Sequence, residues 1–202
     1  MTLETWIHFL IFTLIITSAP GPGNILTINH ALQHGWRPNK ILILGQETAV
    51  FIIMLSITMG TKFLSQLAYT MLIIKFLGVA WLIYSAWSAW YSPFNDLPLG
   101  EIPLSSKSKL FVKGFITDIT NGKAWAFFMA MVPAYLNMNH YILPQSLILS
   151  LTMVSVDAMV LMTFSLICSK LRTLFSSSKF VKIQNRVSAV VFLLLALRIV
   201  AN

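Results

Sequence analysis

A chain of 202 residues that is 57% hydrophobic and 10% charged, with a mean hydropathy of +0.79, is excluded from ordinary soluble domains and falls among polytopic membrane proteins. Its net charge of +8 does not point to nucleic acid, because the basic residues stand singly between apolar runs rather than along one amphipathic surface. A single cysteine, Cys168, excludes an internal disulfide and any multi-cysteine metal site.

At roughly 20 residues per crossing, the length allows about six spans and no sizeable soluble domain. The start, Met1 to Glu4, carries an acid and no Lys or Arg before the first apolar run, which argues against a cleaved signal peptide. The predicted spans are Thr5 to Leu32, Lys40 to Thr61, Leu67 to Tyr91, Leu110 to Leu136, Tyr141 to Cys168 and Lys182 to Ala201. The first is interrupted by Ser18-Ala19-Pro20-Gly21-Pro22-Gly23-Asn24. Two prolines and two glycines so close together break a helix, since proline lacks a donor and glycine adds backbone freedom. Non-helical backbone at membrane depth is tolerated only where protein covers it or a wet cavity is lined by it, so the interruption predicts half of a transport site. The fourth span is interrupted in the same way by Thr117-Asp118-Ile119-Thr120-Asn121-Gly122-Lys123.

Sorting Lys and Arg by loop gives an orientation. Arg37, Lys40, Lys107, Lys109, Lys113, Lys170, Arg172, Lys179, Lys182 and Arg186 lie on one side, against Lys62 and Arg198 on the other. The positive-inside rule then places the loops that carry the ten in the cytoplasm and both termini outside. Trp6, Trp36, Trp87, Trp90 and Tyr91 fall near span ends, as interface anchors do. The segment 92–109, with Pro93, Pro98, Pro103 and Gly100, reads as a cytoplasmic linker between a first half at 1–91 and a second half at 110–202. Three spans per half make the second half enter from the opposite side, so the expected fold is an all-α membrane protein of six transmembrane helices in two inverted three-helix repeats, the first and fourth helices broken.

With that topology the helix after Gly23 and the helix after Asn121 point their N-termini at the membrane centre from opposite faces. Each N-terminus carries unpaired N–H groups and a partial positive charge, so the pair suits a carboxylate. Backbone and side chains of Pro20, Gly21, Pro22, Gly23, Asn24 and Asn121 are the expected lining, with Lys75 and Lys123 as full charges. Asp157, near the middle of the fifth span, is the leading candidate for binding an ammonium group or a proton, and Glu47 and Asp118 are further proton-coupling candidates. Gly78 belongs to a small-residue packing stripe with Lys75, Leu82, Ser85 and Ala89. His8, His30, His34 and His140 show no metal spacing, and no hydrolase or nucleotide-binding motif occurs, so no metal and no cofactor are expected.

Several of these residues resemble the LysE/RhtB family of amino-acid exporters: Pro20-Gly21-Pro22 in a broken first span, His34-Gly35 with a basic residue following, Lys75-x-x-Gly78, Asn121-x-Lys123 and Asp157. The Met1-Thr2-Leu3-Glu4 start and His34-Gly35 are most similar to its threonine and homoserine exporter branch. The resemblance implies a bacterial inner-membrane carrier that expels amino acids or close derivatives against protons by alternating access, with an amino acid, protons and the bilayer as partners and a homodimer left open. Where the family commonly has Asn-Pro-Lys this chain has Asn121-Gly122-Lys123, and Glu47 and Asp118 stand where relatives often carry uncharged polar groups. The rival readings are a metal-cation exporter of similar fold, which the acids would suit and the buried lysines would not, and a membrane enzyme or a membrane assembly subunit without transport of its own.

Overall fold

The computed structural model describes residues 1–19, 21–64, 69–92, 105–171 and 178–201. Pro20, Arg172, most of the predicted linker (residues 93–104) and the side chain of Lys123 lie outside that description. Helix α1 runs over Leu3–Ser18; the Thr2 hydroxyl accepts the Thr5 N–H at 3.2 Å, and Glu4 in the first turn complements the helix dipole. Ala19 and Gly21 are extended, and α2 (Pro22–His34) starts with Pro22 at its first position, where a missing N–H leaves no bond unmade. The two helices meet at 56°. Gly35, at φ 80°, adopts the left-handed conformation that favours glycine and ends α2.

Then follow α3 (Trp36–Leu64), α4 (Thr70–Tyr91), α5 (Lys107–Ile119), α6 (Gly122–Met131) with a 3-10 turn over Val132–Tyr135, α7 (Ile142–Lys170) and α8 (Ser178–Ala201). There is no strand among the described residues. Among the described residues four helices are long and apolar enough to cross a membrane, and the bent α1–α2 pair makes a fifth crossing if counted as one. This is a multi-pass membrane protein. The α5–α6 stretch contributes only the shorter apolar segment Ala124–Tyr135, because Lys107, Lys109, Lys113 and Asp118 lower its apolarity.

Both breaks are narrower than the sequence suggests. Helix α1 continues through Ser18 and α5 through Ile119, leaving Ala19 to Gly21 and Thr120 to Asn121 as the interruptions. Side chains satisfy backbone groups that the breaks would orphan. Asn24 donates its amide to the Thr17 carbonyl at 2.7 Å, Trp125 Nε1 donates to the Ile119 carbonyl at 2.8 Å, and Asn121 Oδ1 accepts the Ala124 N–H at 3.4 Å.

Close helix approach follows from small residues, the main adhesive where lipid gives no hydrophobic drive between helices. Gly45 of α3 faces the Phe111 carbonyl of α5, and Gly114 of α5 faces the Leu42 carbonyl of α3, so neither position has room for a Cβ. Gly78 of α4 packs on Ala126 and Ala130 of α6, the packing role the sequence suggests. Across the predicted halves, α3 lies on α5 while α7 lies on α1 and α2; α3 also packs on α7, and α4 on α8. Cys168 is buried among Ile28, Ala31, Leu32 and Phe164. Trp36 lies under Lys40 and Trp90 under Arg186, with ring-to-cation distances of 4.6 and 3.7 Å.

Candidate functional site

Both breaks line one cavity of about 80 Å³ in the middle of the bundle. The first break contributes Gly21, Gly23 and Asn24, the second Asp118 and Asn121, and α7 contributes Asp157. Phe127, Phe128 and Met153 complete it with apolar surface. Glu47 sits on α3 just outside this lining, within electrostatic reach of Asp157 and Asp118, so three carboxyl groups from three elements share one neighbourhood. Glu47 is only 5% exposed, and neither of its oxygens has a hydrogen-bond partner among the described residues. A carboxyl group without a donor inside a bundle is a place where a proton or a cation is held.

The N-terminus of α2 has no side-chain cap. Asp118 lies against it: a Cβ built on Gly23 would stand 2.7 and 2.9 Å from the Asp118 oxygens and 2.8 Å from Gln46 Nε2. Any larger residue at position 23 would displace the Asp118 carboxyl group or the Gln46 amide, and a carboxylate of the protein itself stands near the spot where a substrate carboxylate is expected. Gln46 extends the polar surroundings toward the far end of α2. It accepts from Thr27 Oγ1 at 2.7 Å; Asn39 Nδ2 donates to the Thr27 carbonyl at 2.9 Å and to Ser165 Oγ at 2.7 Å. Asn39 Oδ1 pairs with His30 Nδ1 at 2.9 Å, and the His30 ring stacks on His34 at 4.6 Å. Among the described residues no group of three or more His, Cys, Asp or Glu side chains is arranged to hold a metal ion.

Lys75 is not with this group. It lines a second cavity, of about 390 Å³, together with Thr5 and His8 of α1, Tyr135 and Arg198. Measured along α1, Ile16 borders the first cavity and His8 the second, a separation of about 12 Å at helical rise. An aromatic cluster fills the gap. Phe12 stacks on Phe127 at 5.2 Å and lies 5.6 Å from Tyr135, while Phe9 meets Tyr135 edge-on at 5.1 Å. Phe9 and Phe12 are almost wholly buried.

On the other side of the first break is a crevice of about 210 Å³ walled by Gly21 and Pro22, by Ser85, Ser88 and Ser92 near the end of α4, and by Asn185 and Ser188 of α8. Gly21 borders both this crevice and the central cavity. Sequence reasoning does not single out the aromatic cluster, the serine-lined crevice, or the Thr27–Gln46–Asn39 network as parts of a path. Gln46 is detectable as an amide beside Glu47 inside an apolar run; Phe9 and Phe12 carry no signal, since a phenylalanine in a membrane helix is equally at home against lipid.

The LysE type translocator family matches residues 14–202. The chain belongs to the LysE type translocator family. As a LysE-type translocator it is a transport protein and not an enzyme, and the resemblance read from its motifs holds at family level. It is 27% identical over 197 residues to a homoserine/homoserine lactone efflux protein of Salmonella typhi, covering 96% of this chain and 95% of that one. It is 25% identical over 198 residues to an uncharacterized membrane protein of Vibrio cholerae, with 96% and 95% covered. It is also 27% identical over 164 residues to a cysteine/O-acetylserine efflux protein of Escherichia coli strain K12, with 79% and 77% covered. No solved structure matches.

Proposed function

We propose that this protein is a secondary active exporter of amino acids or close derivatives across the bacterial inner membrane, working by proton antiport and alternating access. The observation that carries the proposal is that two helix breaks from different parts of the chain line one cavity with Asp157. Such convergence of broken helices is how membrane carriers expose backbone to a substrate and its coupling ion. Membership of a translocator family and likeness to efflux proteins for homoserine and for cysteine and O-acetylserine support the substrate class.

In this reading the chain forms six spans, α1–α2 and α5–α6 being the broken first and fourth, with the halves inverted and both termini periplasmic. The crosswise packing of α3 on α5 and of α7 on α1 and α2 is what two halves related by a pseudo-two-fold axis would give. Substrate enters from the cytoplasm through the crevice between α4 and α8, passes Gly21 and reaches the central cavity. There its ammonium group meets Asp157, with Glu47 and Asp118 behind it. Its carboxylate is drawn to the backbone at Gly21, Gly23, Asn24 and Asn121, in competition with Asp118 for the N-terminus of α2, with Pro20 and Pro22 shaping the break and Lys123 adding positive charge at the second one. Asp157 holds either the substrate's ammonium or a proton, and that exclusion is what couples their opposite movements. The cluster of Phe9, Phe12, Phe127 and Tyr135 closes the outer side until the bundle rearranges.

The test is a panel of amino acids, homoserine, cysteine and O-acetylserine among them, assayed for efflux from proteoliposomes with an imposed pH gradient. Gradient-stimulated efflux of at least one is expected. No flux of any of them, with correctly inserted protein, would overturn the reading.

A further inference from the structure

The second cavity has a chemistry of its own. Four elements build it: α1 supplies Thr5 and His8, α4 supplies Lys75, the end of α6 and its 3-10 turn supply Ala130, Ala134 and Tyr135, and α8 supplies Arg198. Among the described residues no acidic side chain lines it. Neither Lys75 nor Arg198 has an ion-pair partner among the described residues, and Arg198 lies within electrostatic reach of the Tyr135 hydroxyl. Two cations that share a cavity repel one another, and the apolar walls at Met131 and Ile199 strengthen the field between them. An anion between them relieves that repulsion. A phenol, a threonine hydroxyl and an imidazole are present to take part in orienting it.

We propose that this cavity is a carboxylate-binding station beyond the aromatic cluster, in which Lys75 and Arg198 hold the carboxylate of an amino acid that has left the central cavity. The assignment rests on the exporter reading for its substrate, and on the cavity alone for its anion preference. It gives Lys75 a place the central cavity does not. The guanidinium of Arg198 can take a carboxylate through two parallel N–H bonds, while the Lys75 ammonium serves as a point charge on the opposite wall. A zwitterion would therefore leave the acids of the centre by its ammonium end and be received here by its carboxylate end.

Cysteine labelling tests the station without requiring transport. Ala134 is exposed on the cavity wall, and the buried Cys168 makes the parent protein a low-background control. In proteoliposomes of zwitterionic lipid, Ala134→Cys should react with an anionic methanethiosulfonate in preference to a cationic one, and Lys75→Gln with Arg198→Gln should reduce that preference about tenfold, the scale on which a charged cleft concentrates counter-ions. Thr5→Cys provides a second labelling position on the α1 wall. Homoserine should slow the anionic reagent, and homoserine lactone, which has no free carboxylate, should not.

A preference unchanged by the two neutralisations, or equal protection by the lactone, would overturn the proposal. So would protection by added anionic phospholipid with none by homoserine, which would assign the cations to lipid phosphate. The labelling pattern without any amino-acid flux in the panel assay would support the anion station and sink the exporter reading instead.

Discussion

The central cavity and the second cavity lie along the same two elements, α1 and the α6 segment, yet their chemistry is opposite. Asp118 and Asp157 line the first with Glu47 just outside it, and Lys75 and Arg198 line the second, whose described lining contains no acid. Between them stands the aromatic cluster. The breaks explain part of the difference, since the uncapped N-terminus of α2 at the first one tolerates and holds a carboxylate such as Asp118. In the proposed cycle the contrast serves a zwitterion: each end of the molecule would find its complement at a different depth, so neither cavity would need to bind the whole of it tightly. Weak, sequential sites favour turnover in a carrier, as they favour conduction in a channel.

The comparison can be broken most severely at Gly23. Gly23→Val would push a side chain into Asp118 and Gln46, filling the central cavity; efflux in proteoliposomes should fall to background, with a stability loss of about 1–3 kcal/mol from overpacking. The anion preference of the second cavity should survive, and its loss would show that the two regions are not separate.

Phe12→Ala opens the aromatic barrier. It should destabilise the protein by about 3–5 kcal/mol if the site does not collapse. Flux should persist in the remaining folded protein but lose its dependence on the pH gradient. Retained tight coupling in that variant would place the outer closure elsewhere.

Asn39→Leu removes the donor that ties α2 to α7 through the Thr27 carbonyl and Ser165. A loss of about 1–2 kcal/mol in detergent stability is expected, near the upper range for hydrogen bonds between membrane helices. Half-saturation for substrate should change little, because this network lies to the side of both cavities. The smallest effect is expected from Arg186→Gln, which removes a cation from the Trp90 ring: about 0.5–1 kcal/mol and no change in flux.

The two breaks are legible in the sequence because proline, glycine and asparagine clustered in an apolar run interrupt a helix wherever they fall, and the structure narrows the breaks without moving them. The shared level of Glu47, Asp118 and Asp157 is also legible, from depth; their proximity is not. Depth does not place Lys75. Counting from Leu67 puts it about 12 Å inside, but α4 is described from Thr70, which makes Lys75 its sixth residue and about 8 Å in, on a face that turns toward α1 and α8. Linear position fixes a residue's level and leaves its azimuth open. The aromatic barrier is illegible for a related reason, since burial of Phe9 and Phe12 depends on partners in α6 and its turn, more than a hundred residues away.

The exchange of a proton for the substrate's ammonium group at Asp157 is the step on which the proposed transport cycle turns. The most direct measurement compares wild-type protein with Asp157→Asn in proteoliposomes, recording gradient-driven net efflux and gradient-free exchange of the same amino acid, with insertion checked by Ala134→Cys labelling. The variant is expected to lose gradient stimulation entirely while remaining folded and inserted. Normal gradient-driven efflux by Asp157→Asn would contradict the exchange.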